Sequence, residues 1–244
     1  MTVTTNPSEA QEADEAQAAR RAFTANVSHE LKTPLTVILG YAELLKTGMV
    51  MQEDIEKISS VIYEEAEYML NLVDDILSLS QLDEYVTTGN TSAHATRVDL
   101  VVVATGVLSR LEPFAKQNYV KCKLEFEGDT CVMGIERLLT SVVYNLAENA
   151  VRYNVPGGAV HITIKGLEDQ VHLEVVDTGL GISAEDQSRV FERFYRVDQA
   201  HSRHSGGTGL GLAIVKHGAY YHNASLTLKS EQLKGTEIVV EFPR

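Results

Sequence analysis

The sequence predicts an α+β chain of two domains: an antiparallel helical hairpin that pairs into a dimeric four-helix bundle, then an α/β sandwich in which helices cover a mixed sheet. Three observations predict it. Apolar residues recur every three or four positions through two long stretches before residue 86, the period of helices with one buried face. A small polar stretch, TTGNTSAHATR at 87–97, has no apolar period and reads as a linker. Beyond it Val160, Ile162 and Ile164 alternate strictly, as do Val171, Leu173 and Val175, the period of half-buried strands.

Residues 1–20 are rich in Ala, Gln, Glu and Asp with no large apolar residue to bury, which predicts a flexible or loosely helical lead. The hairpin is assigned to 21–86. Its first helix is expected from about Arg20 to Lys46, with Val27, Leu31, Leu35, Ile38, Ala42 and Leu45 as its stripe and Gly48 as its stop. Pro34 removes the bond to the Glu30 carbonyl and crowds it, so a bend is expected one turn past His29. The second helix is expected from about Glu53 to Glu84, with Ile55, Ile58, Ile62, Met69, Leu72, Ile76 and Leu79 facing inward. One such hairpin has too little core to stand alone, and two of them bury both stripes in a homodimer. The many acids of the second helix set against Lys57 read as a solvated face.

The second domain is assigned to 98–244. It opens with a helix near Asp99–Gln117, then a strand near Val120–Phe126 and a helix from about Ile135 to Tyr153. A hairpin across Gly166–Gln170 follows, then a helix after Gly207, with Leu226, Leu228 and Ile238 to Phe242 closing the sheet.

Composition narrows the function classes. Of 244 residues 44% are apolar and 23% charged, ordinary for a globular chain with a real core. A net charge of −13 argues against direct nucleic-acid binding, which takes clustered Lys and Arg. The longest uninterrupted apolar run, Leu100 to Ala104, falls far short of a spanning helix, which needs roughly 20 residues. Cys122 and Cys131 flank a turn at Gly128 without metal-ligand spacing and are expected as reduced thiols in a cytoplasmic protein.

Four short segments carry the chemistry. His29 lies off the apolar stripe in FTANVSHELKTPL, with Glu30 beside it and Thr33 one turn on. Asn145, Asn149 and Arg152 fall on one helix face, since spacings of four and three recur there. Asp177 ends a strand and precedes Gly179 and Gly181, glycines that let backbone approach a flat ring. The run GGTGLGL at 206–212 is neither a Walker A loop, for it lacks GK[ST], nor a dinucleotide-binding fingerprint. His201 and His204 lie in a polar loop without a third ligand and are read as solvated.

The block Ser28-His29-Glu30-Leu31-Lys32-Thr33-Pro34-Leu35 resembles the phospho-acceptor box of sensor histidine kinases. The segments Asn145–Asn154, Asp177–Ile182 and Gly206–Leu212 resemble that family's nucleotide boxes in the same order, over about residues 20–244. The resemblance implies a domain of the gyrase and histidine-kinase ATPase type using ATP and Mg2+. By resemblance Asn149 ligates the metal, Asn145 shares its helix face, Arg152 and Arg196 meet phosphate, Tyr153 packs near the nucleotide, and Asp177 reads adenine beside Gly179 and Gly181. Gly207, Thr208, Gly209, Leu210 and Gly211 form the glycine-rich box, whose amides at a helix start suit phosphate. Residues 191–206 resemble the lid over the nucleotide, anchored by Phe191 and Phe194. Two departures are Gly134-Ile135 where an acid is expected slightly earlier, and Asn154 in place of a small hydroxyl residue. The run at 216–223 resembles phosphate-responsive members of Gram-positive type.

The resemblance implies autophosphorylation of His29 and transfer to an Asp of a response-regulator receiver domain. Glu30 would orient or deprotonate the imidazole. Regulator phosphatase activity is also implied, with Thr33 holding the attacking water. A nucleotide-binding scaffold or gyrase-like clamp is the alternative, and it has no need of residues 23–35. The family's upstream membrane sensor has no counterpart in this chain; the cytoplasmic core of a longer receptor is the simplest expectation, and a naturally soluble kinase would look the same in sequence.

Overall fold

The computed structural model describes residues 7–88, 95–197 and 207–244, with side chains in the helical part from 21 to 80. The chain divides into two compact units, 1–73 and 74–244. The first contains α1, Pro7–Thr47, a 3-10 turn at Gln52–Asp54, and most of α2, Ile55–Thr88. Helix α1 begins well before the expected Arg20, in a lead whose composition favours helix. It runs through the buried Pro34 as one element. The turn after it follows from Gly48, whose φ of +68° lets its amide and that of Met49 reach the carbonyls of Leu45 and Leu44, each at 3.3 Å. The hairpin is antiparallel, for the Tyr68 hydroxyl of α2 meets Glu30 of α1.

The second unit is a two-layer sandwich. Strands β1 (Thr96–Asp99) and β3 (Cys131–Gly134) form a small antiparallel pair. Neither was expected. The first occupies the end of the stretch assigned as linker, so the span between α2 and β1 is 89–95, and residues 89–94 lie outside the described ones. The main sheet contains β2 (Lys121–Glu127), β4 (Ala159–Gly166), β5 (Gln170–Asp177), β6 (Ser225–Glu231) and β7 (Gly235–Pro243), in the order β2-β4-β5-β7-β6. Only β2 and β4 run parallel, which makes the sheet mixed as expected.

Helices α3 (Leu100–Gln117), α4 (Glu136–Arg152) and α5 (Gly211–Tyr221) supply the other layer. Val160, Ile162, Ile164, Val171, Leu173 and Val175, the alternating residues of β4 and β5, share one core with Leu139, Val143, Leu146 and Val215 of the helices. His161 and Lys165 on the opposite face of β4 are exposed. Asp99 caps α3 by accepting from the Val101 amide at 2.9 Å. Helix α4 starts at Ile135, whose side chain cannot cap. Buried His222 takes over: its Nε2 accepts from the Ile135 amide at 3.3 Å and its Nδ1 bonds the Gly218 carbonyl at 2.7 Å. Burial holds His222 below the usual histidine pKa, which keeps the ring neutral and able to accept.

Candidate functional site

In the first unit, the His29 side chain is 70% exposed, as expected of a residue off the packed stripe. Its Nδ1 stands 3.8 Å from Glu30 Oε1. That is outside hydrogen-bond reach and inside ion-pair reach. The other carboxylate oxygen, Oε2, accepts from the Tyr68 hydroxyl at 3.1 Å. Thr33 Oγ1 donates to the His29 carbonyl oxygen at 3.3 Å. The structure thus brings His29, Glu30 and Thr33 together on one stretch of α1 and adds Tyr68, which has no signal in the motif because it lies 38 residues away.

In the second unit, a cavity of about 540 Å³ is lined by residues of all three nucleotide-box segments. Helix α4 presents Asn145, Asn149, Arg152 and Tyr153 to it, the polar stripe read from the four-and-three spacing. Asn145 is 6% exposed, and its Nδ2 donates to the Ser141 carbonyl at 2.8 Å. Its Oδ1 faces the start of α5, where a Cβ on Gly211 would lie 2.6 Å from it. Only glycine lets that helix start so close to α4. Arg152 pairs with Glu148 at 2.8 Å, four residues back, and its guanidinium lies 5.1 Å from the Phe114 ring centre.

The adenine end expected at Asp177 is a dense crossing of backbone. Asp177 Oδ1 accepts from the Gly179 amide at 2.7 Å, and its carboxylate also takes the Thr236 backbone N–H. Burial nevertheless pushes the Asp177 carboxyl above the usual range, and those two bonds oppose it. A Cβ on Gly179 would fall 2.3 Å from the Tyr153 carbonyl oxygen, and one on Gly181, where φ is +64°, would fall 2.0 Å from that of Glu231. Both glycines are therefore dictated by close approach. Asn154, in place of a small hydroxyl residue, donates to the carbonyls of Ala150 and Ala159 and accepts from Thr178, tying the end of α4 to β4.

At the glycine-rich box, Gly207, Thr208, Gly209 and Gly211 line the cavity. Leu210 does not: it is fully buried and belongs to the core. Gly179 also shapes the loop without lining the cavity. Arg196 reaches the cavity from the lid segment. The backbone of residues 191–197 is tied to the glycine-rich box where the Phe194 amide donates to the Gly209 carbonyl at 2.8 Å. Phe191 and Phe194 are both partly buried. Residues 198–206, with His201, His204 and Gly206, lie outside the described residues.

Several lining residues carried no sequence signal. Gln232, Leu233 and Thr236 come from the β6–β7 turn and strand β7, which the sheet order brings beside Leu180 of the Asp177–Ile182 segment. Tyr195 joins them, its hydroxyl bonded to Asp186 and its ring under Arg189 at 4.2 Å. Asp75 is another. It lies in the turns of α2 that belong to the second unit, and accepts from the Thr208 hydroxyl at 2.6 Å. Burial first, then the charges of Glu148 and Asp74, push its carboxyl up to about 6, against the Thr208 bond and Arg152.

The described residues contain no cluster of three His, Cys, Asp or Glu that could hold a metal alone. Mg2+ takes few protein ligands and completes its shell with water and phosphate oxygens. Asn149 lines the cavity, and an amide oxygen is a donor of the right hardness for that ion. No helix among the described residues is long and apolar enough to cross a membrane.

Comparison with known proteins agrees with this geometry. The His Kinase A (phospho-acceptor) domain matches residues 19–85, and the histidine kinase-, DNA gyrase B- and HSP90-like ATPase matches residues 134–244. The chain is 35% identical over 93% of its length to the sensor-like histidine kinase SenX3 of Mycolicibacterium smegmatis, and covers 58% of that protein. It is 36% identical over 91% of its length to the phosphate regulon sensor protein PhoR of Pseudomonas aeruginosa, covering 50% of it. The chain thus spans about half the length of these relatives, 50–58% of it. The same fold occurs in the histidine kinase ThkA in complex with the response regulator protein TrrA, with a TM-score of 0.70 at 20% identity, covering 99% of this chain and 68% of that one. With a phospho-acceptor domain followed by an ATPase domain of this kind, the chain belongs to the sensor histidine kinases of two-component systems.

Proposed function

We propose that the chain autophosphorylates His29 from Mg-ATP and passes the phosphoryl group to an Asp of a response-regulator receiver domain. The observation that carries this reading is the pairing, in one chain, of a solvent-facing His29 beside Glu30 with a cavity lined by Asn149, Arg152, Asp177 and Thr208. In the reaction a neutral imidazole nitrogen forms a bond to the terminal phosphorus, and the bond from phosphorus to the bridging oxygen breaks with its electron pair leaving on ADP. Glu30 accepts the ring proton as positive charge grows. Arg152 and Arg196 offset phosphate charge, and Asn149 would hold Mg2+, which when bound neutralises charge on the transferred group. Incubation with γ-labelled ATP and Mg2+ should give an acid-labile label. Label resistant to acid, or no label, would contradict the reading.

We also infer a homodimer through the hairpin and a role at the cytoplasmic side of a longer sensor. Leu35, Leu39, Leu70 and Val73 are 41–67% exposed in a single copy, surface that a second hairpin can bury. Light scattering should give twice the chain mass at micromolar concentration, and a stable monomer would contradict the dimer. The receiver partner is supported by the complex in which ThkA was solved. Regulator phosphatase activity is a second reading, favoured by the Thr33 hydroxyl one turn from His29.

A further inference from the structure

We propose that Tyr68 is a positioning residue for the phospho-acceptor, its hydroxyl holding Glu30 so that the free carboxylate oxygen faces Nδ1 of His29. The inference rests on the kinase reading and adds to it a residue that lies outside the phospho-acceptor motif. The two oxygens of Glu30 are divided between two partners. Oε2 accepts from Tyr68 at 3.1 Å and Oε1 stands 3.8 Å from the His29 ring.

Helix geometry alone does not produce this arrangement. Side chains at adjacent positions point about 100° apart around the axis, and neighbours that meet are three or four apart. Glu30, whose side chain is 30% exposed, turns toward His29 only if its torsions are held, for a glutamate side chain has many rotamers to lose. The hold comes from the other helix. Tyr68 is half-buried on α2, and its hydroxyl reaches across the hairpin to Glu30.

The chemical consequence is a choice of tautomer. A carboxylate facing Nδ1 favours the proton on that nitrogen, which leaves the Nε2 lone pair free to attack phosphorus. As the Nε2–P bond forms and the electron pair leaves on ADP, the Nδ1 proton becomes acidic and passes to Oε1. The 3.8 Å gap closes by a small rotation of either side chain, as catalytic hydrogen bonds tighten when charge develops. Tyr68 stays a donor to Oε2 throughout and gains or loses no proton.

The test is a double-mutant cycle on the whole chain, measuring initial autophosphorylation rates for the unaltered protein, Tyr68→Phe, Glu30→Gln and the pair. Phenylalanine keeps the ring and its packing. Tyr68→Phe is expected to lower kcat roughly three- to tenfold with KM for ATP unchanged, and to cost nothing further when Glu30 is already Gln. An equal loss in both backgrounds, or no loss in the first, would overturn the proposal. Nitrogen-15 shifts of the His29 ring give a readout independent of turnover. They should show the Nδ1–H tautomer favoured in the unaltered chain and reduced in Tyr68→Phe, and an unchanged ratio would overturn the proposal even if the unaltered chain failed to label. Failure to label would itself sink only the kinase reading.

Discussion

The Thr33 hydroxyl spends its proton on the His29 carbonyl oxygen, 3.3 Å away and one turn earlier in α1. Its oxygen keeps lone pairs that can accept from a water, while the bond to the backbone fixes where they point. Thr33→Ala is therefore expected to keep His29 labelling within a few fold, since the imidazole attack needs no such group, and to slow dephosphorylation of the regulator. Both rates are measured with one phosphorylated receiver. Equal loss of both, with a lowered Tm, would leave Thr33 a helix-shaping role before Pro34.

Asn149→Asp and Asp177→Asn test the cavity from its two ends. The first places a charge at the side chain proposed to hold Mg2+, and the second removes a carboxylate held by the Gly179 and Thr236 amides. Each is expected to weaken ATP binding at least about tenfold, the scale of one lost charge-assisted bond. Titration calorimetry reads the affinity, and light scattering should show the proposed dimer unaffected. Unchanged affinity in both variants would contradict the site.

Asp75 predicts a pH dependence. Its carboxyl titrates at about 6 against an ordinary 3.8, so the fold holds the proton more tightly than the unfolded chain does. Below about pH 4 both states are protonated and nothing is lost. As pH rises from there to beyond 6, ionisation in the fold costs stability, of order 2–3 kcal/mol in full for such a shift. Asn keeps an acceptor for Thr208 and removes the charge. Asp75→Asn should raise Tm of the second unit at pH 7.5, with the gain shrinking toward pH 4.5. A gain independent of pH, or a loss at pH 7.5, would contradict this account.

The sequence was most legible where a short period or a motif acts locally. The face of α4 bearing Asn145, Asn149 and Arg152, the alternating cores of β4 and β5, and the stop at Gly48 all follow from spacing and backbone freedom within a few residues. Strands β1 and β3 were illegible because four residues are too few to show alternation, and their pairing joins Thr96 to Gly134 across a whole helix. Thr236, Tyr195, Asp75 and Tyr68 escaped for the same reason. Each acts through a partner distant in the chain or through a loop whose path only the sheet order decides. Leu210 shows the opposite error. It sits inside a legible glycine-rich box, but its large apolar side chain turns to the core, leaving its glycine and threonine neighbours to face the cavity.

The measurement that tests the central claim most directly locates the phosphoryl group. The chain is incubated with ATP and Mg2+, digested at neutral pH, and sequenced by mass spectrometry under conditions that preserve phosphoramidates. The account predicts a single modified peptide carrying the phosphoryl group on His29, and none in His29→Gln. A phosphoryl group on any other residue, or one that persists in His29→Gln, would contradict it.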